Sequence, residues 1–290
     1  PKLVTMAQHV EQGNAEIAKA EKKLKSFSLF GNKHDDALEM FEKAATYYKL
    51  GQAWQQAGET FNRIAQMHLK SGSKHEAAQA YGNATTAFKK CNTKDAIEAE
   101  KACIEINLDQ GRFTTAAKHH KEVGEMYEAD GDLENAREHF DAAARYYQTE
   151  ESTSSANQCL LKVAQFSAEI EEFQRAADIF EQVANSSLEV ALLKWSVKDY
   201  FFNAMLCHMA IGDQVACRRA LEMYMDKDIN FPDTQECKLL QGCVQAMEDE
   251  DVEAYTQAVF DFDQIKKLDK WRTSMLLKTK KKMSAGGGLL

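Results

Sequence analysis

Every twenty residues along this chain a small side chain returns. Ala37, Ala57, Ala77, Ala96, Ala116, Ala136, Ala156 and Ala176 follow one another at intervals of 20, 20, 19, 20, 20, 20 and 20. Four residues beyond them stand Phe41, Phe61, Tyr81, Glu100, His120, Phe140, Leu160 and Phe180. Eight residues beyond stand Ala45, Ala65, Thr85, Ile104, Gly124, Ala144, Ala164 and Ala184, so that only Glu100 clearly breaks a small–bulky–small rhythm. Positions i, i+4 and i+8 share one face of an α-helix, and each unit therefore presents one such stripe. Small residues let neighbouring helices approach closely, and the bulky one fills the groove between them. Turn residues separate the units at Leu50-Gly51, Ser71-Gly72-Ser73, Asp109-Gln110-Gly111 and Asp130-Gly131-Asp132. Subtracting about five turn residues leaves helices of about fifteen, roughly 22 Å long. One such helix cannot bury its stripe alone, whereas stacked antiparallel pairs can.

The expected fold is all-α: a tetratricopeptide-like right-handed α-solenoid of antiparallel helical hairpins with a C-terminal helical bundle. Composition agrees, because Pro1 and Pro232 are the only prolines and Ala, Glu, Lys, Gln and Met abound. The pattern is similar to tetratricopeptide arrays, with Trp54 and several Ala/aromatic positions in place. It lacks their terminal proline and its two-helix period near forty is longer, so the helices should form a more open, twisted sheet. The period fades after about residue 190. The expected organisation is a hairpin array over 1–190, a helical bundle over 191–283 and a flexible tail over 284–290. Helices are predicted at Leu192–Ile211, Asp213–Met225, Pro232–Glu248, Val252–Phe262 and Leu268–Lys282, with Pro232-Asp233 suiting a helix start.

Seven cysteines form no CxxC, and the N-terminus reads as amphipathic and charged rather than as a secretory leader. Reduced, mostly buried thiols in a cytoplasmic protein are expected. No apolar run approaches the ~20 residues of a membrane span, so membrane contact is expected to be peripheral. A formal charge of −9 argues against general nucleic-acid binding, although Lys270, Arg272, Lys278, Lys280, Lys281 and Lys282 make a locally basic end. There is no G-x-x-x-x-G-K-[ST], G-x-S-x-G or H-E-x-x-H, and the rings of His119 and His120 should point about 100° apart on a helix. No catalytic residue, metal site or cofactor is expected.

The segment holding Phe27, Leu29 and Phe30 follows Lys19, Lys22, Lys23 and Lys25 and precedes Gly31-Asn32. Two readings stand: insertion into an anionic membrane surface, or folding back onto the first hairpin as a hydrophobic staple. Lys118 lies roughly 200° round its helix from Ala116, and Lys162 roughly 240° round from Ala156. Both should face solvent, as should Lys90, while Lys89, Lys90 and Arg112 lie near helix ends where cations also serve the helix dipole. A solenoid gathers residues of successive helices onto one broad face, which favours a shared basic surface. Glu248-Asp249-Glu250-Asp251 reads as a solvated loop that helps start the next helix, or as a docking point for a basic partner.

Several strings resemble the soluble NSF attachment protein family, in its alpha/beta rather than gamma form. They are residues Leu69–Ala78 (LKSGSKHEAA), Gly111–His120 (GRFTTAAKHH) and Ser154–Ala164 (SSANQCLLKVA), joined by Lys198–Phe202 (KDYFF), Glu236–Leu239 (ECKL), Leu268–Trp271 (LDKW) and Met275–Leu277. The likeness runs from about residue 15 to 283. It implies an adaptor that is not an enzyme, that binds assembled SNARE complexes, and that recruits and stimulates the ATPase NSF for SNARE disassembly in vesicle fusion and trafficking. The implied partners are a SNARE four-helix bundle of syntaxin-type, SNAP-25-type and synaptobrevin-type chains, the NSF hexamer and an anionic membrane surface. Lys89, Lys90, Arg112 and Lys118 match the SNARE-binding cations of the family. A further family lysine falls on Gln158, where Lys162 is a nearby substitute. Phe27, Leu29 and Phe30 match the membrane loop, Glu248 and Asp249 the NSF-contacting acids, and Leu289 the penultimate leucine of the family tail. The acids that usually precede that leucine are glycines here. The competing reading is a generic tetratricopeptide-like scaffold that binds a peptide tail.

Overall fold

The twenty-residue stripe is the core of the molecule. In a computed structural model describing residues 2–26, 33–190 and 192–286, the eight repeat alanines are at most 1% exposed. The small residues eight positions on are buried as well, from Ala45 to Ala184. Phe41, Phe140, Leu160 and Phe180 are buried between them, while Phe61 and Tyr81 are half-buried against the same clusters. Fourteen α-helices and one 3-10 turn make up the described residues, and no strand occurs among them. The chain is all-α, as the period requires.

The helices divide into two compact units, Pro1–Asp132 with Arg145–Ser152, and Leu133–Ala144 with Thr153–Leu290. The first holds α1 (Lys2–Lys25), α2 (Lys33–Leu50), α3 (Trp54–Lys70), α4 (Lys74–Phe88), α5 (Thr93–Asp109) and α6 (Phe113–Asp130). Each of these packs on the helix before it, α1 on α2 through α5 on α6. Close approach is visible where α3 meets α4: a Cβ built on Gly58 would stand 2.4 Å from the Phe88 ring. The next helix, α7 (Leu133–Thr149), gives its first twelve residues to the second unit and its remainder to the first.

The turns repeat too. Gln52, Gly72, Gly111, Gly131, Glu151 and Glu171 all take a left-handed backbone, with φ between +53° and +80°. Glycine meets that demand without strain at Gly131, which caps α6, whereas Gln52, Glu151 and Glu171 occupy it with a Cβ.

The second unit continues the hairpins with α8 (Thr153–Glu169) and α9 (Phe173–Leu188), and then changes its packing. Here α10 (Lys194–Ile211) touches α9, α11 (Gln214–Lys227), α12 (Gln235–Glu248) and α14 (Lys270–Gly286), and α13 (Val252–Ile265) lies between α12 and α14. Helix α10 carries ten buried residues, among them Phe201, Phe202 and Met205, as its uniform hydrophobicity requires of a helix surrounded on all sides. Pro232 does not begin α12. It sits in the 3-10 turn Phe231–Asp233, and the helix proper starts at Gln235, where Thr234 Oγ1 accepts from the Cys237 N–H at 3.1 Å.

Close packing and a half-buried hydrogen-bonded carboxylate each set a measurable stability. Gly58→Ala should destabilise by about 1–3 kcal/mol, because overpacking against buried Phe88 outweighs the better helix propensity of alanine. Gly82→Ala, with no atom within 4 Å of the added Cβ, should stabilise by about 0.5–1 kcal/mol in the same urea titration. The carboxylate is that of Glu181, which accepts from His208 Nε2 at 2.9 Å and from the Tyr224 hydroxyl. Burial raises the pKa of its carboxyl, but the His208 and Tyr224 hydrogen bonds lower it further, to a net position below the ordinary glutamate range. A depressed folded-state pKa contributes stability above the unfolded value, and that stability is lost as pH falls through the folded one. Glu181→Gln should therefore cost about 1–2 kcal/mol at neutral pH, and the deficit should shrink on acidification.

Candidate functional site

Three of the cations lie along the seam between α4 and α6. Arg112, immediately before α6, has Nη1 3.3 Å from His75 Nδ1 in the first turn of α4. Lys89, which ends α4, bonds Glu122 Oε2 of α6 at 2.7 Å. Lys118 lies four residues before Glu122, on the same face of α6. His75 and Lys89 are fourteen residues apart, so these side chains span roughly 21 Å of helix. All three are exposed.

Their partners distinguish them. Lys89 is held by Glu122 and Arg112 faces His75, whereas Lys118 makes no ion pair or ring contact among the described residues. Lys90 does not join the seam. Its Nζ stands 3.8 Å from the centroid of the Trp54 ring, beside Lys49 and Leu50 in a groove between α2, α3 and α4. Lys162 belongs to the second unit and is half-buried rather than fully solvated, with its Nζ 5.6 Å from the Phe166 ring centroid. The Phe166 ring lies one turn further on the same face and is itself packed on Phe140. Gln158 is exposed one turn before Lys162.

At the acidic turn the four residues have separate tasks. Asp251 caps α13, accepting from the N–H groups of Glu253 and Ala254 at 3.0 and 2.8 Å, which is the helix-starting role read from its position. Glu248 forms a two-pronged ion pair with Arg218 of α11, and that guanidinium holds its carboxyl below the usual range. Asp249 accepts from Gln245 Nε2 at 2.9 Å and is otherwise exposed, as is Glu250 in its left-handed turn. Phe27, Leu29, Phe30 and Leu289 lie outside the described residues.

Three of the six cations at the basic end of the chain are spent internally. Arg272 bonds Asp199 and Asn203 of α10, Lys278 pairs with Glu171 at 2.6 Å, and Lys282 reaches the carbonyls of Ala210 and Ile211 at the end of α10. Sequence reasoning also passed over Leu192 and Trp195, which are 89% and 85% exposed at the start of α10. Their i, i+3 spacing was the available signal. His119 and His120 diverge as expected: His119 Nδ1 lies 2.6 Å from Glu100 Oε1, and His120 stacks on Tyr146. Glu100 is 2% exposed, so the one break in the stripe is a buried carboxylate paired with a half-buried histidine.

Stacked hairpins carrying a charged seam, with no catalytic motif in the sequence, define a protein of the tetratricopeptide-like class. Among solved structures, the tetratricopeptide-sensor-bearing Signal Transduction ATPase with Numerous Domains protein of Pyrococcus horikoshii superposes with a TM-score of 0.51 at 13% identity, covering 94% of this chain and 44% of that longer one. That likeness concerns the fold. The family model described as "Soluble NSF attachment protein, SNAP" matches residues 11–284. The alpha-soluble NSF attachment protein of Vitis vinifera is 42% identical over 97% of both chains, and that of Mus musculus 45% identical over 91% of this chain and 92% of its own. The vesicular-fusion protein SEC17 of Coprinopsis cinerea is 37% identical over 93% and 96%. The chain belongs to the soluble NSF attachment protein family.

The differing partners of the seam cations separate stability from charge. Lys118→Glu should leave urea unfolding within about 0.5 kcal/mol of wild type. Lys89→Glu sets like charge against Glu122 and should lower stability by up to about 1 kcal/mol, less at high salt.

Proposed function

We propose that this chain is an adaptor without catalytic chemistry of its own, which binds assembled SNARE four-helix bundles and recruits NSF to take them apart during vesicle fusion. The observation that carries this reading is the α4–α6 seam in a member of this family: Arg112, Lys118 and Lys89 lie along one edge, and Lys118 is uncommitted. A rod-shaped acidic partner suits such a line of cations, since each contact is modest and several copies along one bundle would multiply them. In this reading Lys90 and Lys162, whose ammonium groups stand over the Trp54 and Phe166 rings, add further cations, and exposed Leu192 and Trp195 add apolar contact.

In this reading the helices of 191–283 form the end that meets NSF. Asp249, exposed and hydrogen-bonded by Gln245, is freer to pair with a basic partner than Glu248, which must share Arg218. Phe27, Leu29 and Phe30 would supply peripheral membrane contact, consistent with the lack, among the described residues, of any helix long and apolar enough to cross a bilayer. Leu289 would act at the NSF face.

The test is disassembly of a purified SNARE complex by NSF and ATP with and without this protein, together with binding to the assembled bundle. Lys118→Glu should weaken binding about 5–10-fold, and wild-type binding should fall steeply with added salt. Salt-insensitive binding that the substitution leaves unchanged would overturn the electrostatic reading. Binding to an isolated C-terminal peptide but not to the folded bundle would favour a peptide-gripping scaffold instead.

A further inference from the structure

The stripe that organises the fold is broken once, at Glu100, and the break brings three metal-ligating side chains together. Glu100 and Cys103 lie one turn apart on α5, at i and i+3, so both point to the same side of the helix. His119 reaches the same point from α6. The His119 nitrogen, the Cys103 sulfur and a Glu100 oxygen all lie within 4.8 Å of one another. Glu100 and Cys103 are buried, at 2% and 0% exposure, and His119 forms the accessible edge.

We propose that Glu100, Cys103 and His119 form a binding site for a borderline-soft divalent transition metal, with Zn2+ the ion their donors fit. Thiolate, imidazole and carboxylate are the three protein ligand types zinc takes, and three such ligands with a water in the fourth position complete a tetrahedron. Bond lengths of about 2.0–2.3 Å set tetrahedral donors about 3.3–3.8 Å apart. The cluster reaches that spacing if the 2.6 Å His119–Glu100 contact opens by about 1 Å and the wider separations close by a similar amount. We expect side-chain rotation to supply these movements, because the donors sit on two helices that already pack together. Binding takes the thiol proton to solvent and gives up the weak Cys103 S–H contact to the Ala78 carbonyl, 3.4 Å away.

The setting separates this cluster from an ordinary buried pair. Seven other units fill the equivalent position with Phe, Tyr, Leu or His, and only here does a carboxylate replace the bulky side chain beside a buried thiol. The remaining buried cysteines have no such companions: among the described residues this is the one group of three potential ligands.

Co2+ serves as the probe, added to the full-length, reduced, chelator-stripped protein without an affinity tag. Wild type should bind one equivalent, with a sulfur-to-cobalt charge-transfer band and visible bands of tetrahedral intensity, and Zn2+ should displace it. Cys103→Ala should abolish the charge-transfer band. Glu100→Leu restores the apolar stripe, so it should fold as well as wild type by circular dichroism and thermal unfolding while binding Co2+ at least tenfold more weakly. His119→Ala, on the accessible edge, provides a second ligand deletion should Glu100→Leu fail to fold. Absence of a thiolate band, a band that survives Cys103→Ala, or wild-type affinity in the folded Glu100→Leu or His119→Ala protein would overturn the proposal.

Discussion

Everything in this molecule depends on how near two helix axes can come when alanine faces alanine. With Ala37, Ala57, Ala77 and their successors at the contact, no side chain holds the helices apart, and each Phe or Leu four residues on enters the groove that opens alongside. The same closeness explains glycine where an aromatic ring lies flat against a neighbouring helix. A Cβ on Gly13 of α1 would lie 2.7 Å from the ring of Tyr48 in α2, whose hydroxyl donates to Asn14 Oδ1 at 2.8 Å. Because the stripe repeats every twenty residues, helices of fifteen to eighteen residues recur and the turn reappears at a constant place. Left-handed residues at 52, 72, 111, 131, 151 and 171 are the backbone expression of the same period.

Charges are used in two ways on this scaffold. In the second unit they are buried or half-buried and tie helices that are distant in sequence: Glu236 meets Lys266 and Lys198, and Arg272 meets Asp199 and Asn203. Removing one member of such a set leaves the other desolvated, so these groups are committed to the fold. Along the α4–α6 seam the charges are exposed, and an exposed pair such as Lys89–Glu122 is worth about 0–1 kcal/mol. In the adaptor reading proposed above, the seam would be present before the partner arrives, and Lys89 could exchange Glu122 for a partner's acid at little cost.

The period made the fold legible, since one spacing decided helix length, the buried face and the turn positions. It worked wherever a residue's neighbours were set by its own helix: the outward direction of Lys118 and the divergence of His119 and His120. It failed where a contact came from a helix that no period locates. Lys162, expected to face solvent, is half-buried with its ammonium near the Phe166 ring, and Arg272, Lys278 and Lys282 turn inward onto α10 and the α8–α9 turn. Pro232 misled for a local reason: proline suits the first turn of either helix type, and Thr234 rather than the proline supplies the cap. Glu100 stood out as a break in the stripe, but its meaning needed His119, nineteen residues away on the next helix.

The change of packing within the second unit bears on how force passes through such a protein. Where each helix touches only its neighbours, stability is close to a sum of local terms, and a load on one hairpin is carried by the next interface along. Helix α10 ends that regime, because it contacts α9, α11, α12 and α14 at once. Loss of any one of those contacts leaves three others, so the segment opens cooperatively or not at all. Lys282 closes the end of α10 from α14, and Trp271 packs edge-on against Phe180 of α9, so the last helix is bolted to both the hairpin and the bundle. In the adaptor reading proposed above, these helices are the segment a partner ATPase would grip, and packing on several neighbours at once makes such a segment harder to open than a single hairpin.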